Sequence, residues 1–124
     1  MTEDVNEHIA AGGSIGLCPE GQITRHPPTP LQPFRRGSFA IPCEKSMPIY
    51  GFTMLGCHES WPITEAVGGF PATIYCSIDH LHTPKNGDQP AEVAEICQKK
   101  MQAVLDALVA HRDAVNAAKN KKVE

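Results

Sequence analysis

The chain has 124 residues, with 11 Lys+Arg against 14 Asp+Glu, a formal net charge of −3 and a sequence pI near 6.0. That length is enough for one domain of ordinary size and not for two. The net acidity excludes a protein whose whole surface binds nucleic acid, because such a surface needs an excess of Lys and Arg. No apolar stretch approaches the roughly 20 residues of a membrane helix, so we expect no membrane span, although the chain could lie on a membrane surface.

Five cysteines, at positions 18, 43, 57, 76 and 97, form no C-x-x-C pair, and an odd number cannot close entirely into internal disulfides. The N-terminal residues Met-Thr-Glu-Asp lack the basic and apolar regions of a secretory signal. We therefore expect the thiols to be reduced and, by default, buried.

Residues 3–18 predict a short helix followed by a short strand. Val5 and Ile9 are four residues apart, on one helical face, and the Gly12-Gly13 pair is typical of a helix end. Residues 14–18 form a short apolar run bounded by Gly and Pro, which favours a buried strand. A helix followed directly by a strand indicates an α/β layer arrangement.

A stretch without any Asp or Glu extends over residues 21–43, so the acidic chain has a local basic segment. It contains four basic side chains, Arg25, His26, Arg35 and Arg36. Prolines at positions 27, 28, 30 and 33 prevent regular helix there and predict an ordered surface loop. Loops that follow strand ends are common ligand-binding positions in α/β proteins.

The second half of the chain predicts two strands and a long helix, preceded by a short helix over 36–45. Residues 47–55 and 73–78 are apolar runs typical of central strands, joined by a loop. Pro90 and Glu92 occupy the first and third positions of a helix start. Apolar residues then recur at intervals of three or four residues, which predicts one buried helix face. They are Val93, Ile96, Cys97, Met101, Val104, Leu105 and Leu108. We predict an α/β fold with a mixed or parallel sheet, flanking helices and a long C-terminal amphipathic helix.

Several motifs in this order resemble a known family. Cys-Pro-Glu-Gly at 18–21 is similar to the Phe-Pro-Glu-Gly motif of PlsC-type glycerolipid acyltransferases, the 1-acylglycerol-3-phosphate acyltransferases among them. Pro-Phe-Arg-Arg-Gly-Ser-Phe at 33–39 resembles the segment that follows it in that family, and Met-Pro-Ile at 47–49 resembles the start of the next strand. Trp-Pro at 61–62 and Gly-Gly-Phe-Pro at 68–71 continue the match, which covers roughly residues 5 to 112.

The resemblance implies a binding site for the phosphate of a lysophospholipid and for acyl-CoA, the co-substrate. Its residues would be Pro19, Glu20, Gly21 and Arg25, with Arg35 and Arg36 as further cations. Such a loop can hold a phosphate through Arg side chains and backbone N–H groups. The alternatives are a turn with a solvated carboxylate and a solvated basic helix start.

This sequence departs from the family pattern in two ways. Ile23 stands where the family has an Arg, and the nearest Arg, Arg25, lies two positions further along the chain. The family's general base is a His followed five positions later by Asp, which orients the imidazole. None of the six His residues here has Asp at that spacing. We therefore expect residues 1–115 to be the C-terminal portion of an acyltransferase domain, with open strand edges and an apolar face, followed by a Lys-rich tail at 116–124.

Two functions follow from the resemblance. The first is an acyltransferase of phospholipid biosynthesis, which moves an acyl group from acyl-CoA to lysophosphatidic acid or a related lysophospholipid. This chain would be a fragment of that enzyme without the His-x4-Asp motif. The alternative is a non-catalytic lipid- or phosphate-binding protein, or a partner subunit, derived from such an enzyme. Partners would be these two ligands and a membrane surface, with no cofactor, metal or nucleic acid.

Two shorter patterns leave alternatives open. Lys121 and Lys122 resemble the dilysine retrieval signal of endoplasmic reticulum membrane proteins, and the other interpretation is a frayed helix end with cations beside its carbonyl groups. Cys76, Asp79, His80 and His82 are the only dense group of metal-type ligands, and the other interpretation is exposed polar residues at a strand end.

Overall fold

A computed structural model describes residues 2–21, 30–62, 64 and 66–123. Helix α1 spans Thr2–Ala10, and a 3-10 helix at Arg36–Phe39 leads directly into α2 at Ala40–Lys45. Strand β1 spans Ile49–Leu55, the single-turn helix α3 spans Cys57–Ser60, strand β2 spans Tyr75–His82, and α4 spans Pro90–Val123. The described part is therefore of mixed α and β structure with a long C-terminal helix, as predicted.

Helix boundaries follow local sequence signals. The helix α1 ends before Gly12, whose φ of 87° is in the left-handed region that favours glycine. The helix α4 begins at Pro90, where the missing N–H is not needed. The left-handed residue that ends α2 is Ser46, with φ 48° and ψ 43°.

The sheet corrects the prediction. In the described residues it has two strands, β1 and β2, which pair antiparallel, so it is neither mixed nor parallel and neither strand is central. Residues 14–18, predicted to be a buried strand, form no regular element, and Ile15, Leu17 and Cys18 are exposed. A buried strand needs a neighbour for its backbone groups, and no hydrogen bond of the described residues joins this segment to β1.

A β-bulge shapes the end of the sheet. Tyr50 pairs with His80 and Ile49 pairs with His82, so Leu81 is an extra residue in β2. The Leu81 side chain enters the core directly over Gly51, where a Cβ would lie 2.9 Å from Cδ1 of Leu81. Gly51 thus provides the space that the bulged leucine occupies.

The core lies between α4, the inner face of the sheet and the 3-10 helix. Its centre is a cluster of buried residues, Phe39, Leu81, Val93, Ala94 and Cys97. Phe34 stacks on Phe39 with ring centroids 6.1 Å apart and packs against this cluster from outside. Of the predicted face of α4, Ile96 is an exception because it is 37% exposed.

The cysteines are all free thiols, but the expectation of burial holds for Cys97 alone. Cys43 is partly buried, and Cys18, Cys57 and Cys76 are exposed. The exposed three belong to the unpaired segment, to α3 and to the outer face of β2. Cys76 is exposed because it lies on the face of the sheet that points away from α4.

Candidate functional site: the turn at residues 18–21 and its neighbours

The first part of the site is a tight turn at residues 18–21. The N–H of Gly21 donates to the carbonyl oxygen of Cys18 at 3.1 Å, and Gly21 has a φ of 66°, in the left-handed region. Pro19 and Glu20 are half-buried. The turn holds its shape because glycine adopts this conformation without strain.

The second part approaches from residues 30–36. The backbone N–H of Arg35 donates to the carbonyl oxygen of Pro19 at 2.9 Å. The guanidinium of Arg35 lies against Gly21, where a Cβ would stand 2.5 Å from Nε and 2.6 Å from Cζ of that side chain. Glycine leaves the space that the Arg35 side chain occupies in this conformation. The two motif segments at 18–21 and 33–39 therefore meet.

The loop between them is held by side chains. In residues 30–34, prolines 30 and 33 have no N–H, which leaves the N–H groups of Leu31, Gln32 and Phe34. They donate to Gln102 Oε1 at 2.8 Å, to Glu20 Oε2 at 2.9 Å and to Gln98 Oε1 at 3.2 Å, in that order. Every N–H of the loop thus has an acceptor, which an irregular, partly buried segment requires.

Four of the six predicted site residues come together: Pro19, Glu20, Gly21 and Arg35. Glu20 spans the two segments through its bond to Gln32, so the structure gives its carboxylate a positioning role. Arg36 is exposed at the start of the 3-10 helix. Arg25 lies outside the described residues.

Gln98 and Gln102 are part of the site but were missed in the sequence. They are four residues apart and share one face of α4, next to its apolar stripe. The signal that could have found them is this spacing together with a proline-rich loop in need of hydrogen-bond acceptors.

An apolar groove of about 700 Å³ lies beside the turn. Its lining includes side chains of α1, the 14–18 segment, the 3-10 helix and β1, among them Val5, Ile15, Leu17, Phe39 and Tyr50. Pro19 also lines it, and the Pro19 carbonyl binds the N–H of Arg35. The backbone of Arg35 is therefore bound to a residue at the edge of the groove, whereas its guanidinium lies against Gly21.

The two most buried thiols are poor nucleophiles. Burial raises the pKa of Cys97 to about 11. Burial, and then the negative charge of Asp88, also raises the pKa of Cys43. Both thiols are protonated at neutral pH, and the thiolate is the reactive form.

The two histidines of the suggested metal group bind different partners. His80 Nε2 lies 2.8 Å from Thr83 Oγ1, and His82 Nε2 lies 3.2 Å from Asp88 Oδ2. The bulge at Leu81 separates them in the sheet. Across the described ranges, no group of three or more His, Cys, Asp or Glu side chains is arranged to hold a metal ion.

The chain matches no known family model, no curated protein and no solved structure. The resemblance to glycerolipid acyltransferases therefore stays a prediction from the motif residues alone. Within the described part of the chain, no helix combines the length and apolarity needed to cross a bilayer.

Proposed function

We propose that this chain is the phosphate-binding part of a PlsC-like lysophospholipid acyltransferase, which moves an acyl group from acyl-CoA to lysophosphatidic acid or a related acceptor. The observation that supports the proposal is the meeting of the turn at 18–21 with Arg35. These two segments are separate in the sequence, and both carry the family's motif letters.

The chemistry of the site suits an amphipathic anion. Arg35 offers a permanently charged planar donor that can bind two phosphate oxygens at once. The apolar groove next to Pro19 would accept a hydrocarbon chain, whose burial contributes about 0.8 kcal/mol per CH₂ group. Glu20 is a carboxylate and would repel a phosphate, so its part in the proposal is to hold the loop by accepting the N–H of Gln32.

A second candidate function is a non-catalytic binding protein or partner subunit. It is favoured by the absence of any His with Asp five positions later. In the enzyme hypothesis the general base would be supplied from outside these 124 residues. In the binding hypothesis no general base is needed, and the same site only retains its ligand.

Location at a membrane is part of the same proposal. Lys121 and Lys122 are exposed near the end of α4, where a dilysine signal would be accessible. We propose that the chain works at the surface of the endoplasmic reticulum membrane, where lysophospholipid and acyl-CoA meet.

The first experiment measures binding of lysophosphatidate below its micellar concentration by titration calorimetry. We expect saturable binding to the wild-type chain and a loss of about 10- to 100-fold in affinity for Arg35→Gln, since a hydrogen bond to a charged group contributes about 1.5–3 kcal/mol. Lys119→Gln is the matched control, because it removes one exposed cation far along α4. No saturable binding, or equal losses in both variants, would refute the site.

The second experiment separates the two functions. The purified chain is incubated with labelled acyl-CoA and lysophosphatidate, and the diacyl product is measured. Transfer that depends on Arg35 supports the enzyme hypothesis and excludes the binding protein. Binding without transfer is expected under both hypotheses, because the enzyme hypothesis places the general base outside these 124 residues. In that case an in-frame His-x4-Asp encoded upstream favours the enzyme, and a stop codon that closes the frame without that motif favours the binding protein.

A further inference from the structure

The outer face of the sheet consists of side chains that point away from α4. They form three cross-strand pairs, Tyr50 with His80, Phe52 with Ile78, and Met54 with Cys76. All six are exposed, and Phe52 and Ile78 at the centre are 55% and 72% exposed. The opposite face of the same sheet packs on α4. We propose that this outer face binds a second copy of the chain and forms a symmetric dimer.

The size of the face supports a protein interface. Its four large apolar or aromatic side chains, Tyr50, Phe52, Met54 and Ile78, together expose on the order of 500 Å². The largest apolar patch on a typical monomer is about 300–600 Å². A stable dimer buries roughly 800 Å² on each partner. The face is therefore at the upper end of what a monomer usually leaves in water, and it supplies more than half of the area that one partner of a dimer buries.

The absence of charged residues on the face favours a second copy of the chain over a lipid surface as its binding partner. None of its six residues is Lys, Arg, Asp or Glu, so two copies can meet without placing like charges together. A lipid surface attracts proteins through Lys and Arg beside the apolar residues, and the face has none among its members. Depletion of charge at the centre is also typical of protein interfaces.

The arrangement of the face is compatible with two-fold symmetry. Phe52 and Ile78 form its apolar centre, and the more polar Tyr50–His80 pair lies at one end, with ring centroids 5.3 Å apart. A two-fold axis through the centre stacks Phe52 and Ile78 of one copy on those of the other. The two sheets would then pack about 10 Å apart, with an α4 helix on each outer side. Each sheet is covered on both faces in this dimer.

Sedimentation equilibrium of the full chain tests the dimer. We expect a mass twice the 13.4 kDa of the chain and a dissociation constant raised about 30-fold or more by Phe52→Lys or Ile78→Lys, as for a central hot-spot residue. Val67→Lys is the control, since Val67 is 88% exposed outside the face and should leave the dimer intact. Far-ultraviolet circular dichroism checks that the variants fold.

Thiol labelling of the wild-type chain provides a second measurement, which does not depend on the folding of a variant. Cys76 lies on the face, so its reaction with a maleimide should slow as the wild-type concentration rises. A concentration-independent rate for Cys76, a monomeric mass, or larger aggregates without a dimer would overturn the proposal. So would a monomer that sediments with vesicles of phosphatidylcholine and phosphatidic acid, because the face would then bind lipid.

Discussion

Thr53 is buried on the inner face of β1, and its hydroxyl has no hydrogen-bond partner among the described residues. An unpaired buried hydroxyl costs about 1–3 kcal/mol of stability. We expect Thr53→Val, which keeps the shape of the side chain, to raise the free energy of unfolding by about 1 kcal/mol in urea titrations. Thr73→Val is the control on an exposed position and should change it by less than about 0.5 kcal/mol. Equal effects would show that the Thr53 hydroxyl is satisfied.

Within the candidate site, Gly21 has a left-handed backbone conformation. Alanine there must adopt a left-handed backbone, and its Cβ would displace the end of the Arg35 side chain. We expect Gly21→Ala to lower the free energy of unfolding by about 1 kcal/mol and to weaken lysophosphatidate binding. Gly68→Ala is the matched control, because Gly68 is also left-handed, with a φ of 87°, and nothing lies within 4 Å of a Cβ there. Unchanged binding in Gly21→Ala would separate this glycine from the site.

At the scale of elements, α4 holds the loop at 30–34 through Gln98 and Gln102. We expect Gln102→Ala to speed amide hydrogen exchange at Leu31 and to cost about 1 kcal/mol of stability, because the Leu31 N–H loses its acceptor. Asp106→Ala is the control. It removes the acceptor of the Gln102 side-chain N–H but leaves the bond to Leu31. Exchange at Leu31 that is the same in both variants would contradict the role of Gln102.

The turn that connects β2 to α4 depends on Asp88. Its pKa is held below the ordinary value of 3.8, first by the backbone N–H of Lys85 and then by His82. A lowered pKa in the folded state stabilises the fold above the ordinary value, and this contribution disappears as pH falls through the folded value. We therefore expect Asp88→Asn to be less stable than wild type at neutral pH. The difference should vanish in unfolding measurements well below pH 3.8, and a difference that persists there would exclude ionisation as its cause.

At the scale of the whole molecule, α4 continues without a break through the boundary predicted at residue 115. Residues 116–122 are all exposed, whereas Arg112 is bound to Glu59 at 3.1 Å and His111 contacts the ring of Tyr75. We expect a chain that stops after Val115 to keep its stability within about 0.5 kcal/mol in thermal and urea unfolding. A chain that stops after Ala110 loses both contacts and should unfold more easily. A large loss from the first truncation would show that the tail packs on the body.

Local signals in the sequence predicted α1, the helical segment at 36–45 and α4, but not the single-turn α3, which lies in the stretch predicted to be a loop. Gly12 ends α1 and Pro90 starts α4, because helix termini depend on the conformations of one or two residues. The strands at 47–55 and 73–78 were also found, although the second runs further, to His82. The motif residues Pro19, Glu20, Gly21 and Arg35 lie together in the structure, and their role in ligand binding stays a prediction.

Tertiary structure alone decided how these elements meet. The apolar run at 14–18 has the composition of a strand, but a strand forms only where a neighbour accepts its backbone bonds, and a local sequence does not reveal its neighbour. The same limit hid the antiparallel pairing, the bulge at Leu81 and the exposure of Phe52 and Ile78. Composition determined a small, acidic chain with a basic segment. Only the contacts between distant residues placed Arg35 over Gly21 and left one face of the sheet uncovered.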